Sequence, residues 1–251
     1  MLVSPRGFEA MAMHHVRFVG RFVSLALAAV LAGTVGAGCV VDNVSAINLA
    51  VPDKTFSIDA SRWRLDPTVT ERYLATSCGA PQTCSAIAND TCKGGCSGTC
   101  NPDTSQCQLA LEIRLYNAVD LVTERPELRT LPDQSVIHVG IDAVTYDVTQ
   151  SSLNLATPEL AVFVAPASVT DPNDPEATAI GTVASLRPGQ TVTGATLALT
   201  AAGETALAAA MSSYKTPFNV LVAATVVIDA GDVLPSGKLD AVVHIRAHAS
   251  L

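Results

Sequence analysis

Apolar and polar residues alternate along several stretches of the chain, a pattern typical of β-strands with one buried face. The positions expected to face inward are Leu109, Leu111, Ile113 and Leu115 in one stretch and Ala241, Val243, Ile245, Ala247 and Ala249 in another. A third stretch begins in phase at Ile137 and changes phase before Val144. Since a shift of one residue turns every side chain to the opposite face, we expect a β-bulge near Ala143.

Shorter apolar runs, separated by Pro, Gly, Asn and Asp, extend this pattern over the rest of the chain. A first strand is predicted within residues 55–75, with Phe56, Ile58 and Ala60 on one face, and further strands at residues 160–165, 178–184, 191–199 and 218–229. Val226, Val227 and Ile228 are consecutive and apolar, which predicts a central strand that is covered on both faces.

One short helix is predicted between the last strands. Its apolar stripe at helical spacing comprises Ala206, Leu207, Ala210, Met211 and Tyr214. Thr200 is placed to cap the start of this helix, and Pro217 is placed to end it. About eight or nine short strands with one short helix predict an all-β fold, a two-layer β-sandwich with an immunoglobulin-like topology.

The N-terminal residues are typical of an export signal. Two arginines precede an apolar run over residues 22–32, and small residues follow it. This order is that of a secretory signal peptide, and the run is shorter than the about 20 apolar residues of a membrane-spanning helix. We therefore assign residues 1–38 to a signal peptide, with Met11 or Met13 as alternatives to Met1 as the start.

The end of this signal, Ala37-Gly38-Cys39, resembles the lipobox of bacterial lipoproteins, in which a small residue precedes a cysteine that becomes lipidated. Gly36 departs from that pattern, where Leu, Val or Ile is usual. An odd seventh cysteine in an exported chain favours lipidation of Cys39; the alternative is ordinary cleavage after Ala37. The resemblance implies a palmitate-type anchor on Cys39, a tether over residues 39–54 and an outer-membrane location, with a secreted or periplasmic protein as the alternative.

A cysteine-rich insert at residues 76–107 interrupts the β-sandwich domain, which is predicted over residues 55–251. The six cysteines are Cys78, Cys84, Cys92, Cys96, Cys100 and Cys107. Ile87 is the one large apolar residue between them, so covalent bonds or a metal must hold the segment together. The spacing is close to that of a zinc site, but export favours three disulfides. Fifteen pairings are possible, and the spacing does not select among them.

We interpret this insert as a rigid staple rather than a recognition element, because rigidity alone explains its cysteines. Its stability is expected to depend on disulfides, whereas the sandwich depends on apolar burial. The two parts are therefore expected to be largely independent of each other.

The charge balance narrows the class of partner. The chain has 15 basic and 23 acidic residues. The signal peptide contains three Arg and one Glu, so its removal leaves 12 basic and 22 acidic residues and a net charge of −10. An acidic chain without a basic stripe is not expected to bind nucleic acid. Anionic lipid headgroups would repel it, so membrane attachment is expected to depend on the lipid.

Candidate metal ligands are few. His244 and His248 are four residues apart on a strand, which separates them by about 13 Å and prevents them from sharing one ion. We expect these two residues to be exposed surface histidines. A weak calcium candidate is formed by Asp171, Asn173, Asp174 and Glu176. Two prolines in the same segment are more typical of an ordinary loop.

The sequence contains no nucleophile elbow, no HExxH, no Walker loop and no GxGxxG motif. A charged loop around Glu124 and Glu127 is interpreted as a solvated connection. We therefore expect a lipid-anchored cell-envelope protein with a structural or recognition role, which has no catalytic activity or cofactor and binds an envelope protein or glycan. The alternative is a secreted or envelope enzyme or inhibitor with an unrecognised active site.

Overall fold

The structure, a computed structural model, describes residues 47–79, 81–92, 95–131 and 137–250. The expected signal peptide, Cys39 and the first half of the tether, up to residue 46, lie outside these residues. The strands are β1 (Ile47–Asn48), β2 (Lys54–Asp59), β3 (Cys96–Asn101), β4 (Gln106–Val119), β5 (His138–Ser151), β6 (Leu160–Pro166), β7 (Thr178–Val183), β8 (Val192–Thr196), β9 (Ala198–Leu199), β10 (Phe218–Ile228) and β11 (Lys238–Ser250). The helices are α1 (Pro67–Leu74), α2 (Pro81–Thr91), α3 (Leu121–Glu124) and α4 (Ala201–Ser212), with 3-10 turns at Ala60–Trp63 and Pro126–Thr130.

The strands form two antiparallel sheets. In sheet A, β11 lies between β5 and the N-terminal strands β1 and β2, and β8 pairs with the other side of β5. In sheet B the order is β3-β4-β10-β6-β7-β9. Ile58 and Val148 of sheet A and Val222 of sheet B line one interior cavity of about 30 Å³. The two sheets therefore face each other across a shared apolar core.

The long strands pair in a nested order from the ends of the chain inward. β2 pairs with β11, β4 with β10, β5 with β8, and β6 with β7. The predicted immunoglobulin-like topology is not confirmed, because in that fold strands A, B, E and D face strands C, F and G. Here the first long strand pairs with the last one. Alternation along a chain predicts strands and their faces, but it does not specify which strands are neighbours.

The inward positions predicted from alternation are correct in β4 and β11. In β4, Leu109 and Ile113 are buried, whereas Arg114 and Tyr116 are exposed. The buried residues of β11 are Leu239, Val243, Ile245, Ala247 and Ala249, and Ala241 is half-buried. Leu, Ile, Val and Ala make up most of the core, and the buried aromatic residues are Phe56, Trp63, Tyr73, Tyr146, Tyr214 and Phe218.

The predicted bulge lies next to Ala143. The residues of β11 that are opposite Ala143 and Ile141 are consecutive, so Asp142 has no opposite residue in β11. This extra residue changes the phase of β5, and Val144 and Tyr146 become buried. The change of phase in the sequence is therefore explained by the local geometry of the ladder.

β10 is a central strand, as predicted, but its buried faces are not where the sequence places them. It lies between β4 and β6 over residues 218–223, and both faces are buried at residues 218–222. Beyond this point β10 pairs with β4 alone within the described residues, and the side chain of Val227 is 46% exposed. The prediction that residues 226–228 are covered on both faces is wrong.

α4 confirms the predicted helix and its cap, but it ends at Ser212, before Tyr214 and Pro217. The Thr200 Oγ1 atom accepts a hydrogen bond from the Gly203 N–H at 2.9 Å, and Leu207, Met211 and Tyr214 are buried. Gly203 lies so close to the backbone of Ile180 that a Cβ would be 2.0 Å from the Ile180 carbonyl oxygen. Glycine at this position therefore lets α4 pack directly on β7.

The expectation of a single helix is wrong, since α1, α2 and α3 also form. α1 has a start signal that the sequence contains: the Asp66 side chain accepts a hydrogen bond from the Val69 N–H at 3.0 Å, and Pro67 occupies the first turn. Within the described ranges, no helix is long and apolar enough to cross a membrane, and the longest, α4, has 12 residues.

Three disulfides join the six cysteines of the insert, as predicted. The pairs are Cys78–Cys100, Cys84–Cys107 and Cys92–Cys96. The insert is not independent of the sandwich, however, because β3 is the edge strand of sheet B and pairs with β4. Cys84, Ala88 and Cys107 belong to the main apolar core. The expectation of two largely independent parts is therefore wrong: the insert supplies a strand and core side chains to sheet B.

Gly98 shows how closely the insert packs. A Cβ at this position of β3 would be 2.2 Å from the Tyr73 hydroxyl oxygen and 2.5 Å from the Cys84 carbonyl oxygen. The Tyr73 hydroxyl donates to the carbonyls of Cys84 and Gln108, each at 3.2 Å. Burial raises the pKa of this hydroxyl. A side chain at position 98 would separate α1 and α2 from sheet B.

A pair of neighbouring substitutions in β10 tests the assignment of its faces. Val226 is 6% exposed and Val227 is 46% exposed. We expect Val226→Asp to lower the free energy of unfolding by about 3–5 kcal/mol, because it buries a charge without a partner. Val227→Asp is expected to change it by less than about 0.5 kcal/mol. Urea unfolding of both variants measures the difference, and equal losses would contradict the assignment.

Paired substitutions separate the entropic role of the disulfides from their burial. Cys84–Cys107 and Cys78–Cys100 span 23 and 22 residues, so loop closure predicts similar losses of about 3–4 kcal/mol for each. The sulfurs of Cys84 and Cys107 are also in the core, where the residues are 0% and 1% exposed. We expect the Cys84→Ala/Cys107→Ala variant to lose at least about 1 kcal/mol more than Cys78→Ala/Cys100→Ala in urea unfolding. Equal losses would show that loop closure alone accounts for both bonds.

Candidate functional site

β2 and β4 run side by side at one seam between the two sheets, and no described strand pairs with either of them there. The free side of β2 is the side opposite β11. β3 pairs with β4 only as far as Leu111, and the rest of this edge of β4 faces β2. Two antiparallel strand edges therefore lie opposite each other across the seam.

Side chains bridge this seam at both ends. At one end, Asn117 Nδ2 donates to the Thr55 carbonyl oxygen at 2.7 Å. At the other end, Trp63 Nε1 donates to the Glu112 carbonyl oxygen at 3.2 Å. These contacts join the two strands at both ends of an open groove, which we call the seam groove.

The seam groove has a volume of about 310 Å³, at the lower end of the range typical of small-ligand sites. Asp59, Arg62, Glu112 and Arg114 contribute two carboxylates and two guanidinium groups to its lining, and Ile58 is among its apolar residues. The groove is therefore close to neutral overall while it offers both signs of charge. That combination suits a polar ligand that carries donors and acceptors.

A hydroxyl in this groove lacks a hydrogen-bond partner. The Ser57 Oγ atom is buried, and it has no partner among the described residues. A buried hydroxyl that is not hydrogen-bonded costs free energy.

Arg114 forms the wall between the seam groove and a second groove on sheet B. Its guanidinium bonds Glu112 at 2.7 Å and Asp171 at 3.0 Å. The second groove has a volume of about 230 Å³ and includes Phe163 and Ala223 in its lining. Since these ion pairs are partly exposed, they contribute little to stability. Their effect is to fix the orientation of the guanidinium group.

His244 lies between two carboxylates on the outer face of sheet A. Its Nδ1 atom is 2.6 Å from Asp53 Oδ1, and its Nε2 atom is 3.2 Å from Asp147 Oδ2. The hydrogen bond to Asp53, and to a smaller extent that to Asp147, raises the pKa of His244 above its ordinary value, against the opposing effect of partial burial. The Gly194 N–H and then His244 lower the pKa of Asp147. Each ring nitrogen lies within hydrogen-bond distance of a carboxylate, an arrangement that favours the charged form of the imidazole.

The expectation of exposed histidines is correct for His248 and wrong for His244. The His248 side chain is 53% exposed and bonds Asp142 at 2.7 Å. The His244 side chain is only 26% exposed, because Asp53, in the segment between β1 and β2, lies over it. The alternation pattern predicts the face of a strand correctly, but it does not predict that another segment covers that face.

The calcium candidate is an ordinary turn within the structure. The Asp171 Oδ1 atom accepts from the Asn173 N–H, and the Asp174 Oδ1 atom accepts from the Glu176 N–H, each at 2.9 Å. Such bonds from a side chain to the following backbone are characteristic of Asx-turns. Asp171 also pairs with Arg114. No group of three or more metal-ligating side chains is suitably placed within the described part of the chain.

The charged loop around Glu124 is not simply solvated. The Glu124 carboxylate bonds Lys54 Nζ at 2.6 Å, and their side chains are 18% and 12% exposed. Arg125 donates through its guanidinium to the Ala50 carbonyl oxygen. These bonds attach the α3 region to the N-terminal strands, so the interpretation as a solvated connection is wrong at Glu124. Glu127 is more exposed and lies 3.9 Å from Arg125.

The sequence does not single out the seam groove, because its residues come from separate segments without a common motif. No protein-family model matches this chain, and no curated protein matches it. The proposals below therefore rest on the residues and their geometry.

The His244 cluster predicts a pH-dependent contribution to stability. Because the folded pKa is raised, this contribution is complete below the unfolded value of about 6.5 and is lost as the pH rises through the folded value. The lowered pKa of Asp147 gives a contribution that is lost as the pH falls through that lowered value. The cluster is thus most stabilising in mildly acidic solution.

Thermal unfolding at two pH values tests this contribution. We expect His244→Gln to lower the melting temperature by several degrees at about pH 5.5 and by clearly less at about pH 9. His248→Gln is the matched control on the same strand and is expected to have little effect at either pH. A His244→Gln effect that is equal at both pH values would mean that packing, rather than charge, accounts for it.

Proposed function

We propose that this chain is a lipid-anchored cell-envelope protein that acts by recognition rather than by catalysis, and that the seam groove is its binding site. The observation that carries the proposal is the open groove between β2 and β4, where two strand edges and four charged side chains meet. The charged arrangement is held by contacts at both ends of the seam. A preformed polar groove of this kind favours binding over a purely structural role.

The fold that accompanies this proposal is a jelly roll. Four nested strand pairs, in which the first long strand pairs with the last, correspond to a long antiparallel ribbon that is wrapped into two sheets. In such an arrangement the ends of the ribbon meet along a seam. The seam groove is located where β2, at one end of the ribbon, passes β4.

Several features support an envelope location. The apolar run at residues 22–32 and the lipobox-like Ala37-Gly38-Cys39 predict export and acylation. The three disulfides are consistent with an oxidising compartment. The outer membrane is the destination proposed here, with a secreted or periplasmic protein as the alternative.

The competing proposal is an enzyme or inhibitor. His244 is the best-connected histidine of the described residues, but both of its nitrogens bond carboxylates. Neither nitrogen is therefore available to take a proton from a substrate. The test is to assay the protein on a broad panel of substrates. Turnover that the Arg62→Glu substitution abolishes would support an enzyme rather than a recognition protein.

Replacing Cys39 tests the anchor. We expect the Cys39→Ser protein to lose incorporation of labelled palmitate and to move from the membrane fraction to the soluble fraction, because stable attachment depends on the acyl chains. Ser45→Ala, within the proposed tether, is the control and should leave fractionation unchanged. Membrane retention of Cys39→Ser after removal of the signal peptide would contradict lipidation.

A charge reversal tests the groove. Arg62 and Arg187 are both exposed, but only Arg62 lines the seam groove. With the mature protein as bait in envelope extracts, we expect Arg62→Glu to reduce capture of its ligand by about tenfold. The matched charge reversal Arg187→Glu should leave capture unchanged. Neither substitution should change the melting temperature. Equal capture by the wild type and both variants would place the binding site elsewhere.

A further inference from the structure

The two edges of the seam groove carry backbone groups in the arrangement of an unfinished β-ladder. Because the Ala60 N–H donates to the Gly237 carbonyl oxygen, even-numbered residues of β2 point their backbone groups to β11. The odd-numbered residues, Ser57 and Asp59, point theirs into the groove. The bond that Thr55 O accepts from Asn117 follows the same alternation.

β4 presents its backbone to the groove from the other side. The Glu112 N–H donates to the Gly95 carbonyl oxygen, and its own carbonyl oxygen accepts from Trp63. By alternation, Arg114 and Tyr116 also point their backbone groups away from β10 and toward β2. No backbone hydrogen bond crosses the groove between these residues and Ser57 or Asp59.

We infer that the seam groove binds a short extended polypeptide segment, which bonds through its main chain to these exposed strand edges; this inference rests on the proposed recognition function. Unpaired strand edges are the surfaces to which an extended peptide adds. Ser57 and Asp59 are separated by about 7 Å along β2, which matches the two-residue repeat of an extended chain. The main chain of the segment therefore satisfies the groups that the molecule leaves open.

The charged side chains give this segment a chemistry. Arg62 is exposed beside the groove and forms no ion pair with any of the described carboxylates. Arg114, in contrast, is already bonded to Glu112 and Asp171. Arg62 is therefore available to a carboxylate of the ligand. The bound segment is expected to carry an acidic side chain directed toward Arg62.

A saccharide fits the same groove less well. Sugar rings are commonly held against the open face of an aromatic side chain, and the aromatic residue that lines the seam groove is Trp63. Trp63 is 6% exposed and uses its Nε1 atom to bond Glu112 O. Its ring is part of the core and offers no platform, whereas the backbone edges remain accessible.

Selection of peptides on the intact mature protein tests the inference. A phage library of random heptapeptides is selected on the immobilised protein, and the selected sequences are synthesised. We expect them to share an acidic residue, and we expect Arg62→Glu to weaken their binding by about tenfold or more while Arg187→Glu does not. The same peptides with N-methylated amides at alternate positions should bind at least about tenfold more weakly, because N-methylation removes main-chain donors and leaves the side chains unchanged.

Hydrogen exchange locates the bound segment. On binding, the amides of Ser57, Asp59, Arg114 and Tyr116 should exchange about tenfold more slowly, while amides on the outer face of sheet A should not change. The inference is overturned if no peptide is selected, or if binding is unaffected by N-methylation. A third outcome is that the protein binds peptidoglycan saccharides but no peptide, and that Arg62→Glu abolishes this binding. That outcome would overturn the peptide inference and preserve the recognition function. Absence of any Arg62-dependent capture would overturn both.

Discussion

The limited length of β3 is the constraint from which the seam groove arises. β4 pairs with β10 over the eleven residue pairs that join residues 109–119 to residues 218–228, and this ladder forms the centre of sheet B. On its other side, within the part of the chain that the structure describes, β4 has a partner only where β3 reaches. The chain enters β3 through Gly95, whose positive φ of 83° few other residues adopt. The remainder of the β4 edge is consequently left to face β2.

The cysteine-rich insert has a part in this arrangement that its composition does not indicate. Cys107 lies on β4 and is bonded to Cys84 of α2, so the disulfide holds the helix against the same strand that forms the groove. Gly98 and the Tyr73 hydroxyl allow the helices to pack closely on β3. The insert thus terminates β3, fixes β4 and covers one end of sheet B.

Sequence reasoning predicts the local features of this fold and fails for the non-local ones. The faces of β4 and β11, the bulge beside Ala143 and the cap of α4 each depend on residues a few positions apart, and all are confirmed. The exposure of Val227 depends on where β6 begins, and the covering of His244 depends on Asp53, almost two hundred residues away in the chain. The seam groove combines β2, β4 and the turn at Arg62, so it has no signature along the chain.

The pairing of β1 and β2 with β11 constrains the order in which the molecule is completed. During synthesis, β1 and β2 are made long before the strand they pair with, which ends at Ser250, so sheet A lacks this ladder until that strand has been made. Contacts between such distant segments form slowly because a long loop must close before they do. A nascent chain that depends on such distant contacts stays unfolded for longer. This delay suits a protein that we propose crosses a membrane before it folds.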